Sequence, residues 1–290
     1  MKIMAIGEII FDIFNSEAEI GGAPLNFCAH CAMLGAQSAL ISAVGNDGFA
    51  VKAVDGLKKF GVDTSFVSVN DFPTGKCIVT VNDGIPSYDV IRPSAYDKIA
   101  YDDHMIEKIK GFNADVFAFG TLIQRDEVSR NTVKRILSEC SFPHIFCDVN
   151  LRAGCYDIES CRLCLENSDI LKISSEEEPL LSQLGLYDKG ESEKEVISNI
   201  CRAYPDIRLV LFTKGENGAL IYDADSKKYF EIPCVDADVV STVGAGDSFS
   251  AAFLCEYFKS GDILKSGIAG AELSAYVVSH REAVPQKGEW

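Results

Sequence analysis

Ser241-Thr242-Val243-Gly244-Ala245-Gly246-Asp247 runs directly into Ser248-Phe249-Ser250-Ala251-Ala252-Phe253. The second stretch reads as the first turns of an apolar helix, and the glycines read as the loop that enters it. Two glycines around one alanine let the backbone pass close to a bulky group. They also leave successive N–H groups free to converge on an anion at the positive end of the helix. Asp247 falls in the first turn, beside that cradle. Phosphoryl transfer to an alcohol needs both parts: donors for the charge on the moving phosphate and a base for the hydroxyl proton. In isolation, Gly-Ala-Gly-Asp is better read as a tight turn with a capping carboxylate, since glycine-rich turns are common.

The chain around this stretch has 290 residues, 47% hydrophobic and 24% charged, enough for one large α/β domain. Its formal net charge of −16 argues against nucleic acid or an anionic membrane as a partner. An anionic substrate would therefore need a local cationic or N–H-rich site. No run is apolar enough to span a bilayer, and charge breaks the N-terminal apolar segment too early for a signal peptide, so a cytoplasmic location is expected. The 11 cysteines include the pairs Cys28/Cys31 and Cys161/Cys164 at metal-ligand spacing. Both pairs fall in helical patterns rather than on knuckle turns, which favours free, mostly buried thiols over a structural zinc.

Outward from the glycine loop the pattern alternates. Lys2 to Gly7 reads as a buried strand continued by Glu8 to Asp12; Pro24 opens a helix that Gly35 stops; Ser38 to Val44 is a strand and Phe49 to Phe60 a helix. Strands at 115–120, 145–149, 169–173 and 208–213 follow, with a helix over 126–140 and another opened by the capping box Ser192-x-x-Glu195. Strand–helix alternation predicts a mostly parallel sheet. Cys77 to Asn82 and Ser87 to Arg92 alternate with period two around Asn82-Asp83-Gly84, which predicts a hairpin flap over one sheet edge. In open parallel sheets ligands bind beyond the carboxyl ends of the strands, and several polar clusters fall there.

T-V-G-A-G-D-S-F resembles the signature of the ribokinase-like (PfkB) sugar kinases. G-V-D-T-S-F-V (61–67), K-I-S-S-E-E (172–177) and T-K-G-E-N-G-A (213–219) resemble further segments of that family. G-G-A-P-L-N (21–26) resembles its N-terminal signature in the fructokinase form, and D-V-N-L-R (148–152) resembles a segment of fructokinases and ketodeoxygluconate kinases, so the resemblance runs across nearly the whole chain. The resemblance implies an α/β, three-layer ribokinase-like fold in one catalytic domain, residues 1–290, with a small β lid from about 11–20 and 74–96. It implies that Asp247 is the catalytic base and that Gly244, Ala245 and Gly246 form the anion hole. Asp12, Gly22, Asn26, Arg92, Asn150 and Arg152 would bind the sugar. Lys172, Ser174, Thr213, Gly215 and Gly218 would bind ATP, and Glu177 would act through water on Mg²⁺.

Two departures stand out. The family usually has Asp at Ser241, where it helps hold a monovalent cation, so activation by K⁺ is not expected here. The usual asparagine of N-x-x-E is Ser174. The activity implied is ATP-dependent phosphorylation of a sugar primary hydroxyl, fructose first. A 2-keto-3-deoxygluconate or ribose kinase is the alternative, and a catalytically inactive sugar-binding protein on the same scaffold is a different class. The lid hairpin is marginal on its own, so homodimer formation through the lid is expected. A dehydrogenase is disfavoured because no G-x-G-x-x-G follows the first strand, and a Walker-type kinase because no G-x-x-x-x-G-K-[ST] occurs.

Overall fold

Lys2–Ile6 (β1) is buried from Ile3 onward, and its side chains divide between two cores: Ile3 and Ala5 pack into one, Met4 and Ile6 into the other. That division is the period-two pattern of a strand covered on both faces. The computed structural model describes residues 1–14, 17–82, 85–100 and 102–286. From β1 the chain crosses into a separate antiparallel pair, Ile10–Phe14 (β2) and Glu17–Gly21 (β3), then enters the helix Ala23–Met33 (α1) with Pro24 in its first turn. Gln37–Gly45 (β4), Gly48–Lys59 (α2) and Val67–Asn70 (β5) follow, with Asp47 capping α2 by accepting from Phe49 and Ala50 amides.

Gly75–Asn82 (β6) and Ile85–Val90 (β7) pair antiparallel, as the alternation predicts; Asp83 and Gly84 of the expected turn lie outside the described residues. Then come Asp103–Phe112 (α3), Val116–Gly120 (β8), Glu127–Glu139 (α4), His144–Asp148 (β9), Ile158–Asn167 (α5), Ile170–Ser174 (β10), Glu178–Gln183 (α6) and Glu193–Ala203 (α7). Ser192 caps α7 by accepting from the Glu195 amide, but the Glu195 carboxylate reaches back to the Glu191 amide, one residue beyond the position that a capping box requires. Leu209–Thr213 (β11), Ala219–Asp223 (β12), Lys228–Ile232 (β13), Ala245–Ser260 (α8) and Ile263–Val278 (α9) complete the chain.

The main sheet has nine strands in the order β13-β12-β11-β10-β9-β8-β1-β4-β5. Every pair is parallel except at the edge, where β12 and β13 run antiparallel. One core holds α3, α4, α5 and α7 against the sheet; the other holds α1, α2 and α8, giving three layers. The strand order reverses between β1 and β8, and a ligand crevice belongs at that switch point.

A second sheet, β3-β2-β6-β7, stands apart from the first. It corrects two expectations. Glu8 to Asp12 does not extend the first strand: the Gly7 amide bonds the Ile41 carbonyl, and Asp12 lies within β2 of the second sheet. The flap is also not the lone hairpin of the alternation pattern: β2 pairs parallel with β6 and adds two strands, and these fall on the 11–20 segment that the resemblance implies for the lid. Four strands with a common face do not depend on a partner's strands for stability, which removes the reason given for pairing through it. All 11 cysteines are free; Cys234 is exposed, and Cys140, Cys201 and Cys255 are half-buried rather than core. No helix among the described residues is long and apolar enough to cross a membrane.

Candidate active site

The crevice at the switch point is lined by Ala5 and Ile6 at the end of β1, by Phe119 to Leu122 at the end of β8, and by Glu8, Asp148, Asn150 and Asp247. Asp247 reaches it from the first turn of α8. The residue before that helix, Gly244, has φ 82, and a Cβ there would lie 2.7 Å from the Ala283 carbonyl oxygen, so only glycine fits. The first-turn amides have no earlier helical carbonyl to bond and point along the positive end of the helix. The Ala245 amide makes a long 3.3 Å bond to Thr242 O.

Asp247 Oδ2 accepts a 2.8 Å hydrogen bond from Asn26 Nδ2 on α1. Burial raises the Asp247 pKa; the Asn26 bond and the charges of Lys172 and Arg152 pull the other way. A carboxylate whose pKa is raised by its surroundings is a stronger proton acceptor at neutral pH than a solvated one. Asn26 is itself buried and its Oδ1 has no partner in the structure.

Lys172 Nζ donates to both oxygens of Asp148, at 2.9 and 2.8 Å. A Cβ on Gly246 would sit 3.1 Å from that nitrogen, so the ammonium lies against the glycine loop. Burial works to lower the Lys172 pKa, but Asp148, Glu177 and Asp247 outweigh it and hold Lys172 protonated. Burial pushes Asp148 up against the pull of Lys172. Glu177 sits at the ends of the neighbouring strands: one oxygen accepts from the Leu151 amide and the other from the Ser174 amide, both at 2.8 Å. The Ser174 hydroxyl accepts from the Glu177 amide in return.

Glu8 is 5% exposed beneath the start of α1, where it accepts from the Ala23 amide at 3.1 Å. Burial raises its pKa to about 7; Arg152 lowers it and Asp247 raises it further. Gly22 (φ 115) passes directly over this residue, and a Cβ there would lie 2.5 Å from Glu8 O. Asp12 faces the same side from β2, its pKa raised by burial and lowered by Cys77 and Arg152. Arg152 thus acts on Glu8, Asp12 and Asp247 together from the loop after β9. Asn150, in the same loop, holds a left-handed φ of 42. Arg92, after β7, donates to Gly154 O at 2.7 Å and so ties the second sheet to that loop.

Thr213 and Gly215 stand at the end of β11, and Gly218 closes the turn into β12. Gly218 has φ 78 and no room for a Cβ against Ile232 O. Ser241 accepts from the Val243 amide at 3.3 Å. Asn150 and Asp247 line the crevice; Asn26 bonds Asp247, Lys172 lies against Gly246, Gly22 passes over Glu8, and Arg152 acts on Asp12 and Asp247, while Thr213, Gly215 and Gly218 mark the end of the next strand along the sheet from β10. Two residues that line the crevice, Glu8 and Asp148, and one behind the glycine loop, His30, carry no site assignment in the sequence. Charge inside an apolar run was the available signal for the first two. For His30, on the apolar α1, no local signal exists.

Residues 7–287 match the pfkB family carbohydrate kinase profile; the chain belongs to that family and is an ATP-dependent sugar kinase. It is similar to a putative sugar kinase, PH1459, of Pyrococcus horikoshii, at 28% identity over 310 residues covering 99% of this chain and 94% of the relative. The crystal structure of that protein in complex with ATP matches with a TM-score of 0.79 at 27% identity, over 97% of this chain and 93% of the other. An ATP-dependent 6-phosphofructokinase of Thermoanaerobacterium thermosaccharolyticum is 24% identical over 97% of this chain and 89% of its own. The probable fructokinase-5 of Arabidopsis thaliana is 26% identical over 90% and 84%.

Proposed function

We propose that this kinase transfers the γ-phosphoryl group of Mg·ATP to a primary hydroxyl of an uncharged sugar, fructose first, with Asp247 as general base. The observation that carries the reading is the half-buried Asp247 carboxylate, held by Asn26 at the start of α8 beside a glycine loop and a protonated Lys172. Asp247 accepts the hydroxyl proton; the sugar oxygen forms a bond to γ-phosphorus as the bond from phosphorus to the β–γ bridging oxygen breaks; ADP leaves with that electron pair. Amides of Gly244 to Gly246 and the Lys172 ammonium offset the charge on the moving group.

Asp12, Gly22, Asn26 and Asn150 hold sugar hydroxyls, with Arg92 and Arg152 at the rim. Ser174, Thr213, Gly215 and Gly218 hold the nucleotide. Magnesium ion suits this donor set as an ion carried on the ATP phosphates: Asp148 and Glu177 already bond Lys172 and backbone amides, so Glu177 would hold a hydrated ion through water, and the ion, when bound, would supply charge neutralisation of the phosphates. The second sheet acts as a lid that excludes water.

Charge decides among acceptors. Glu8, Asp148 and Asp247 line the crevice and Asp12 stands near it; Arg152 acts on Glu8, Asp12 and Asp247, and Lys172 on Asp148 and Asp247, so four carboxyl groups face two cations. A neutral polyol suits these carboxylates as hydrogen-bond acceptors; a sugar acid or sugar phosphate brings a further negative charge. The test is kcat/KM over a panel of fructose, ribose, 2-keto-3-deoxygluconate and fructose 6-phosphate. Fructose should lead, and an anionic acceptor or ribose well ahead of it would overturn the assignment. Asp247→Asn should keep its fold and ATP affinity and lose about 10²–10⁴-fold in kcat; near-parental turnover in that variant would remove the base.

A further inference from the structure

The Gly244 backbone is free to turn because it carries no side chain, yet the amides that follow it must be aimed. What stands behind it is Ala283, in the segment after α9: a Cβ on Gly244 would lie 2.7 Å from Ala283 O and 2.9 Å from its Cα. Ala283 in turn is held from α1. His30, 2% exposed, places Nε2 2.9 Å from Ala283 O. A carbonyl only accepts, so Nε2 carries the proton and donates. Burial lowers the His30 pKa, with the Ala283 bond and the Asp247 charge opposing.

His30 lies one turn beyond Asn26, so both project from the same face of α1. Asn26 holds the Asp247 carboxylate directly; His30 holds the wall against which Gly244 packs. One helix face thus fixes the base and the anion-hole loop relative to each other, across 253 residues of sequence in the case of His30 and Ala283.

We infer that His30 is a positioning residue for phosphoryl transfer, setting the aim of the Gly244–Gly246 amides through Ala283. The inference rests on the anion-hole reading of that loop. A misaimed hole weakens the transition state more than it weakens either substrate, so the loss belongs in kcat.

The test compares His30→Ala, His30→Asn and His30→Gln with the parent enzyme and with Asp247→Asn, all as full-length protein. His30→Ala should lose about 10- to 100-fold in kcat, with KM for fructose and for ATP within about threefold of the parent. His30→Gln, whose amide nitrogen reaches about as far as Nε2, should recover most of that turnover; His30→Asn, one methylene shorter, should not. If His30→Ala does not fold, the difference between Gln and Asn carries the test. A folded His30→Ala with parental kcat, or a Gln variant no better than Asn, overturns the inference. Asp247→Asn separates the two levels: if it is inactive while His30→Ala is fully active, only the His30 inference fails, and if it is active the reading of the site itself fails.

Discussion

Glu8 is a carboxyl group that the fold keeps out of water, and its titration is a stability measurement. Burial lifts its pKa from an ordinary 4.5 to about 7. Between those values the folded protein binds a proton that the unfolded chain has released, so stability falls as pH rises through this window and levels off above it. The buried group therefore makes the parent protein less stable at pH 8 than at pH 5, by up to about 3 kcal/mol. Glu8→Gln keeps an oxygen for the Ala23 amide and removes the titration. Its stability relative to the parent should be higher at pH 8 than at pH 5, by up to that amount, in urea unfolding at both values. Parallel pH dependences for the two proteins would show that Glu8 titrates normally. In the sequence Glu8 reads only as the charged end of a strand, because what raises its pKa is the closure of Gly22 and α1 over it. Asp247 and Asn26, by contrast, were legible: each sits in a local pattern, glycine loop or Gly-Gly-Ala-Pro turn, that specifies a backbone whatever packs on it later. His30 has neither signal, since its partner is 253 residues away.

Arg125 binds elements together in a way that a residue-by-residue view misses. Its guanidinium donates to both Asp97 oxygens, at 2.7 and 2.9 Å, and to the Val90 and Ile91 carbonyls at the end of β7. It stacks 4.8 Å from the Tyr96 ring. Both charged side chains are 1–2% exposed. This pair joins the short turns after β7 and β8, where the second sheet re-enters the body. Removing one member leaves a buried charge unpaired, so Arg125→Met should cost about 3–5 kcal/mol in chemical denaturation. Arg125→Met with Asp97→Asn removes the stranded charge while keeping an oxygen for the Ser94 amide, and should regain part of that loss. A double variant as unstable as the single one would mean that the guanidinium acts by packing alone. The βα alternation was readable at this scale because apolar runs and turn residues are local. The mixed second sheet was not: β2 meets β6 in parallel register from more than fifty residues away, Ile10 opposite Gly75, and no period in either strand encodes the partner. The antiparallel edge strands β12 and β13 were missed for a related reason, since Ala219–Asp223 and Lys228–Ile232 are short and lie beyond the alternating series.

At the scale of the whole molecule, polar contacts at two sides join the second sheet to the body. Arg92 ties it to the loop after β9. On the other side Arg281, in the segment after α9, bonds Glu17 and Glu19 of β3, the latter at 2.9 Å. That segment also carries Ala283, behind the glycine loop, so these ion pairs link the proposed lid to the wall of the proposed anion hole. All three side chains are 45–64% exposed, and exposed pairs add little to global stability. Their effect belongs instead to the balance between open and closed forms, where a small free energy changes how long the site stays dry. Arg281→Ala should leave Tm within about 2 °C of the parent. It should raise KM for the sugar by about three- to tenfold and increase ADP formation in the absence of sugar, because water reaches the γ-phosphate when the second sheet stands open. Both are read in one coupled ADP assay with and without fructose. If Tm, sugar KM and the sugar-independent rate all stay at parental values, the Arg281 contacts do not govern closure. A large fall in Tm would instead make them part of the fold.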